Sequence, residues 1–311
     1  MLCGGVLAAV DQRGVHRPQG EGCDRGALEV EVAEPKPEPT PEPTVDPTQE
    51  RPEFCDPDPI RIADPTRVET ALCASAHRET ADAVVLARAD DFADAQAGTP
   101  LAIALDAPLL LTQPDSLHPA TADELSRLLP SGAPVYLLGG TAALSQGVAD
   151  QIVDLGLDPV RYGGANRFAT AAAIAQDGLN EPSTVLVADG GDFRPAVVAG
   201  AASLAAGGTA PAAVLLTAGG QLPPETAAYL DDRPDITAVT IGTAAGQALP
   251  GADNHAGASA IDTAIVVAEA YVDQPTVVAI ATTADFADAL AGGALVGNPV
   301  SGPGPMLLTD P

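Results

Sequence analysis

Along most of this chain, short uninterrupted apolar runs alternate with longer stretches in which apolar residues recur every three or four positions. VVLA at 84–87 and PLLL at 108–111 are such runs, bounded by polar residues or glycine, and their composition predicts strands buried on both faces. The preceding stretch, RVETALCASA at 67–76, has the helical period, as does the Ala-rich stretch 93–105 between the two runs. An amphipathic helix is predicted over 119–129 and a third strand over 135–138, which leads through Gly139 and Gly140 into another helix. Strands alternating with helices at this spacing call for a parallel sheet covered on both sides. The predicted class is therefore α/β, a small Rossmann-like layered unit.

The pattern then repeats. RVETALCASA matches RFATAAAIAQ at 167–176 and, more weakly, IDTAIVVAEA at 261–270. VVLARADDFADA at 84–95 matches VLVADGGDFRPA at 185–196 and VAIATTADFADA at 278–289. PLLLT at 108–112 matches AVLLT at 213–217 and PMLLT at 305–309, while VYLLGGTAALS at 135–145 matches VTIGTAAGQ at 239–247. Thr70, Thr170 and Thr263 mark the period. Blocks recurring in one order predict tandem modules over 60–160 and 161–253, and a third over 254–311 that holds only the first three blocks.

The R-x-x-T-A helix start at Arg67 and Arg167, the YGGAN segment before the latter, DFADAL at 285–290 and LLGGTAALS at 137–145 carry a resemblance. Together they resemble the type 2 cell-wall-binding repeat family of Gram-positive bacteria, over about residues 60–311. The resemblance implies non-covalent anchoring of an exported protein to anionic wall polymers, of the secondary-polysaccharide or teichoic-acid type. It also implies three modules in a pseudo-threefold arrangement and a place in the wall or at the cell surface. The chain departs from the family pattern in its shortened third module and in Ala260, which stands where the first two modules have Arg.

Composition narrows the function further. A net charge of −28 with a single lysine, Lys36, argues against nucleic acid and against an anionic bilayer, both of which are bound through clustered Lys and Arg. No run reaches the length of a membrane span. Residues 34–59, EPKPEPTPEPTVDPTQERPEFCDPDP, place Pro every second or third position among like charges, and with the rest of 1–59 they read as a largely disordered segment ending in an extended, acidic Pro-rich linker. Residues 1–10 make a poor signal peptide, and Cys3 reads as a lipid-anchor cysteine only if more chain lies upstream. All four cysteines, Cys3, Cys23, Cys55 and Cys73, fall in the first quarter, which suits an exported protein. Their spacing is not that of a zinc site, and two readings stand: buried thiols, or a disulfide with Cys55 and Cys73 as the preferred pair.

The candidate chemistry is sparse. Arg67 and Arg167 open helices, where the dipole disfavours a cation, so each calls for an acidic partner, Asp91 or Asp192 of its own module, or for an anionic ligand. Gly139-Gly140-Thr141 follows a strand, and its amides are candidates for cradling a phosphate, although a tight turn with a Thr cap explains them as well. Asp90, Asp91 and Asp94 together resemble a metal-binding acidic cluster, the basis of an alternative reading as a metal-dependent enzyme for phosphoryl transfer or wall hydrolysis. Pro195 replaces Asp94 in the second module, which favours architecture instead, with Asp91, Asp192 and Asp285 as caps and Phe92, Phe193 and Phe286 as core anchors. The four histidines are scattered and no nucleophile turn is present, so neither a catalytic residue nor a cofactor is expected.

Overall fold

The computed structural model describes residues 62, 66–297 and 303–311, all within one compact unit, Gln49–Pro311. The first module runs α1 (Arg67–Ser75), β1 (Val84–Arg88), a 3-10 turn (Ala95–Ala97) continuing into α2 (Gly98–Ala104), and β2 (Leu109–Thr112). It goes on through α3 (Pro119–Leu128), β3 (Pro134–Leu138), α4 (Gln146–Asp154) and β4 (Asp158–Tyr162). The second repeats this with α5 (Arg167–Ala173), which ends in a π turn (Ile174–Gly178), β5 (Thr184–Asp189), α6 (Phe193–Gly207) and β6 (Ala213–Thr217). Its remaining elements are α7 (Pro224–Asp231), β7 (Thr237–Ile241), α8 (Thr243–Ala248) and β8 (Asp253–His255). The third contributes α9 (Ala260–Tyr271), β9 (Ala279–Thr282), α10 (Ala287–Val296) and β10 (Met306–Thr309).

All strand pairs are parallel, in the orders β2-β1-β3-β4 and β6-β5-β7-β8, with β10-β9 as a two-stranded sheet. The central strands are buried along nearly their whole length because helices cover both faces, as their apolar runs predict. Each four-stranded sheet also has an edge strand, β4 or β8, that the apolar pattern does not predict. DPVRY and DNH carry charged and amide residues between few apolar ones and are at most partly buried, so no hydrophobic run announces them. These edge strands extend their sheets across positions 160 and 253, where the sequence blocks divide the modules.

Polar caps start the three equivalent helices. Thr66 forms a capping box with Glu69, Asn166 accepts from the amides of Phe168 and Ala169, and Ser259 accepts from Asp262. The repeated threonines have a local task as well: Thr170 Oγ1 accepts from Gly164 N at 3.1 Å and Thr263 Oγ1 from Gly257 N at 3.0 Å. Each ties its helix to the loop that enters it.

The modules meet through α2, α6 and α10. Phe92, Phe193 and Phe286 touch pairwise, with ring centroids 5.6 to 6.3 Å apart. Further along these helices Thr99, Gly200 and Gly293 occupy equivalent positions, and a Cβ at Gly200 would stand 2.8 Å from Thr99 Cβ. The helices are this close because only one of the three carries a side chain there. α1 packs on α10 and α9 on α6, so each opening helix lies against another module, and one buried apolar cluster includes residues of all three. Cys73 is buried on α1, whereas Cys55 lies outside the described residues.

Asp288, in the first turn of α10, is partly buried beside Asp285. Burial, followed by the Asp285 charge, pushes its carboxyl above the ordinary aspartate value, against a smaller downward pull from Thr70 and Arg67. An acid with a raised folded pKa binds protons more readily folded than unfolded, so stability falls as pH rises from the ordinary value through the raised one. Asp288→Asn is therefore expected to raise the thermal midpoint at neutral pH. The gain over wild type should vanish in acid, below about pH 4, as a melting series across pH will show.

Candidate functional site

In a sheet of order 2-1-3-4, the connections leaving the first and third strands run in opposite directions, which opens a crevice at their carboxyl ends. Here the crevices lie between β1 and β3 and between β5 and β7. The sequence candidates gather around them, because the Asp-Phe loops follow β1 and β5 and the glycine turns follow β3 and β7.

Around the first crevice, Gly139 has φ +94°, and a Cβ there would come within 2.5 Å of Asp94 Oδ2. Glycine is needed on both counts. Gly163 lies directly on this turn, its Cβ position 2.5 Å from the Gly139 carbonyl carbon. Gly139 N donates to Tyr162 O at 2.8 Å, and Arg161 Nη1 donates to the carbonyls of Gly139 and Gly140 at 2.9 and 3.2 Å. Burial lowers the Arg161 guanidinium from its ordinary value. The turn does not open a helix, contrary to the sequence expectation. α4 begins only at Gln146, capped by Ser145, so its first-turn amides are not those of Gly139-Gly140-Thr141. In the second module α8 does follow Gly242 directly, but it is six residues long.

The arginines differ from one another. Arg67 donates through Nε and Nη2 to Asp285 Oδ2 at 3.2 and 2.8 Å, and through Nη1 to Ala89 O at 3.1 Å. Its guanidinium lies 4.8 Å from the centre of the Phe286 ring. The expected pairing with Asp91 is thus corrected to a pairing between modules, because α1 packs on α10 and brings Arg67 to the third module's loop. Arg167 makes the equivalent contacts, donating to Gly190 O and lying 5.6 Å from the Phe92 centroid, yet it has no ion pair among the described residues. Asp192, its expected partner, is held by Arg194, with Nε–Oδ1 at 2.7 Å and Nη2–Oδ2 at 2.8 Å. That bidentate contact raises the Arg194 pKa above its ordinary value.

The aspartates of the three Asp-Phe loops share one geometry. Asp91, Asp192 and Asp285 each accept the amide two residues on, from Ala93, Arg194 and Ala287 at 2.9, 3.1 and 3.1 Å. Asp90 pairs with Arg88, whose hydrogen bond holds its carboxyl below the usual range. Asp94 abuts Gly139. Among the described residues no group of three or more His, Cys, Asp or Glu is placed to hold a metal ion.

The second crevice is a cleft of about 250 Å³ between the second and third modules, lined by Asp189, Asp192, Arg194, Thr243, Ser259 and Ala260, among others. In the linear pattern these residues are linked only by a pair of exchanges, Arg194 where the other copies have Ala93 and Ala287, and Ala260 where they have Arg67 and Arg167.

Parallel α/β modules in tandem, joined through the loops at their strand ends, define the class. Comparison with known proteins gives the family: the "Cell wall binding domain 2" model matches residues 61–149 and 161–245, more than half of the chain, and the protein belongs to that family. It is 36% identical over 117 residues to the N-acetylmuramoyl-L-alanine amidase LytC of Bacillus subtilis, covering 37% of this chain and 23% of that protein. It is 31% identical over 138 residues to the amidase enhancer of the same organism, covering 44% of this chain and 19% of that protein. Among solved structures, Cwp6 from Clostridium difficile superposes with a TM-score of 0.69 at 25% identity, covering 80% of this chain and 41% of Cwp6. Cwp8 from the same organism shares the fold, with the same TM-score at 24% identity, covering 80% of this chain and 44% of Cwp8. The chain thus spans less than a quarter of the length of these two curated relatives.

The family model describes a binding domain, and its match supports a cell-wall-binding role with a wall polymer as partner. Association with the cell wall accords with this. Among the described residues no helix is long and apolar enough to cross a membrane.

Proposed function

We propose that the modules over 60–160, 161–253 and 254–311 anchor an exported protein to an anionic wall polymer, with Arg167 as the principal contact for its charge. The observation that carries this reading is the contrast between equivalent arginines: Arg67 is neutralised by Asp285, whereas Arg167 has no ion pair among the described residues. A chain at −28 repels polyanions at long range, so any attraction rests on local guanidinium groups or on bridging divalent cations. The turn Gly139-Gly140-Thr141, on which Gly163 of the loop entering the Arg167 helix packs, is the proposed second part of this contact.

Arg167→Ala is expected to weaken co-sedimentation with Gram-positive cell walls about tenfold or more, the usual scale for a hydrogen bond to a charged group. Arg67→Ala should act mainly on stability. Wild-type binding should also weaken with added salt, and repeating the assay with calcium or a chelator isolates any contribution from bridging cations. Wall binding unchanged in Arg167→Ala would remove this role for the arginine.

A further inference from the structure

The cleft between the second and third modules exists because one side chain of a repeated set is small. At the two equivalent positions Arg67 and Arg167 extend over the Phe of the neighbouring module, while Ala260 presents only a methyl group. Arg194 does not fill the gap. It folds back onto Asp192 through Nε and Nη2, leaving Nη1 without a protein partner among the described residues. Asp189 anchors one oxygen on the amides of Gly191 and Gly219, both at 2.9 Å, and its other oxygen has no partner among the described residues.

The site therefore offers a free guanidinium N–H, a free carboxylate oxygen and the hydroxyl of Thr243, beside the apolar surfaces of Pro195, Ile241 and Ala260. Its fixed charges, Asp189 and Asp192 against Arg194, sum to −1, which disfavours a phosphate or carboxylate. Donors and acceptors lining one small cleft suit a group that both gives and accepts hydrogen bonds, as a hydroxyl does. At about 250 Å³ the space lies just below the usual range for drug-sized ligands and suits a single ring. It also occupies the crevice at the carboxyl ends of β5 and β7, where open α/β sheets bind ligands.

We infer that this cleft takes one neutral, hydroxyl-rich sugar unit of the wall polymer, separately from the charge contact at Arg167. The inference rests on the wall-polymer reading, and its test fails independently of that reading. The probes are N-acetylglucosamine, glucose and glycerol phosphate, observed by saturation-transfer NMR with the full chain. Wild type should transfer saturation to at least one of the two sugars and not to glycerol phosphate. The double variant Ala260→Arg, Arg194→Ala gives this junction the residue types that already pack around Arg67, Asp285 and Ala287, so it should fold with an unchanged thermal midpoint. It should lose the sugar signal about tenfold or more. Thr243→Val, which exchanges the hydroxyl for a methyl group of similar size, should weaken the signal and serves if the double variant does not fold. Arg167→Ala should leave the sugar signal intact while weakening wall binding. The inference is overturned if neither sugar gives a signal, if glycerol phosphate gives the stronger one, or if a folded cleft variant binds as wild type does.

Discussion

Leu86→Ala is expected to destabilise the protein by about 2–5 kcal/mol, whereas Ile280→Ala, at the equivalent position of the third module, should cost less than about 1 kcal/mol. The strand registers establish the equivalence: Leu86 pairs with Leu110 and Ile280 with Leu307, each the second residue of its LLLT-type strand. Leu86 and its second-module counterpart Val187 are fully buried, while Ile280 is 68% exposed. The cause is the helix over that face: Val187 shares a buried cluster with Tyr229 of α7, whereas among the described residues no helix follows β10 to play that part. Truncating Leu86 leaves a cavity that the sheet and its helices cannot collapse into, and truncating Ile280 alters a surface that water already reaches. Urea unfolding of the two variants measures the contrast. Equal losses would mean that the third sheet is covered in solution.

Glu124→Ala is expected to cost about 3–5 kcal/mol, the scale for removing one partner of a buried ion pair. Glu124 is only 2% exposed, and both its oxygens engage Arg127, with Nε–Oε2 and Nη2–Oε1 at 2.7 Å. Ser75 on α1 donates to the same carboxylate, and Arg127 also donates to the carbonyls of Arg78 and Glu79. Alanine would leave the guanidinium in this partly buried setting with its carbonyl contacts but without its counter-charge. Glu124→Gln keeps acceptor and donor atoms in place, so it should lose less. A denaturation midpoint for each variant tests the ordering, and a Glu124→Ala loss below about 1 kcal/mol would show the pair to be solvated.

Glu124 also shows why part of the structure was not legible from the chain. PATADELSRL reads as an amphipathic helix, and its charges belong by default to the solvent side. Only the packing of α1 against α3 buries that carboxylate. At the corresponding place on α7 stands Tyr229, buried, with Arg233 4.0 Å from its ring centre. Two side chains of different chemistry occupy one architectural position, so residue type at that point does not predict burial. The arginines carry the same lesson: Arg67 and Arg167 share a motif and a helix position, yet among the described residues one is ion-paired and the other is not.

The order of residues along the chain dictates the local features. The apolar runs specify strands buried on both faces, the repeated blocks specify a tandem α/β array, and Thr66, Asn166 and Ser259 start their helices through bonds spanning two or three residues. Each of these depends on interactions among near neighbours, which a one-dimensional pattern records. The tertiary structure alone decided which carboxylate meets which arginine, that polar edge strands complete two of the sheets, and that Ala260 leaves a cleft where its counterparts place a guanidinium. Those outcomes depend on contacts between modules some hundred residues apart, as with Arg67 and Asp285, 218 positions distant in the chain. A repeated motif gives each module the same groups, but the neighbouring module sets what those groups face.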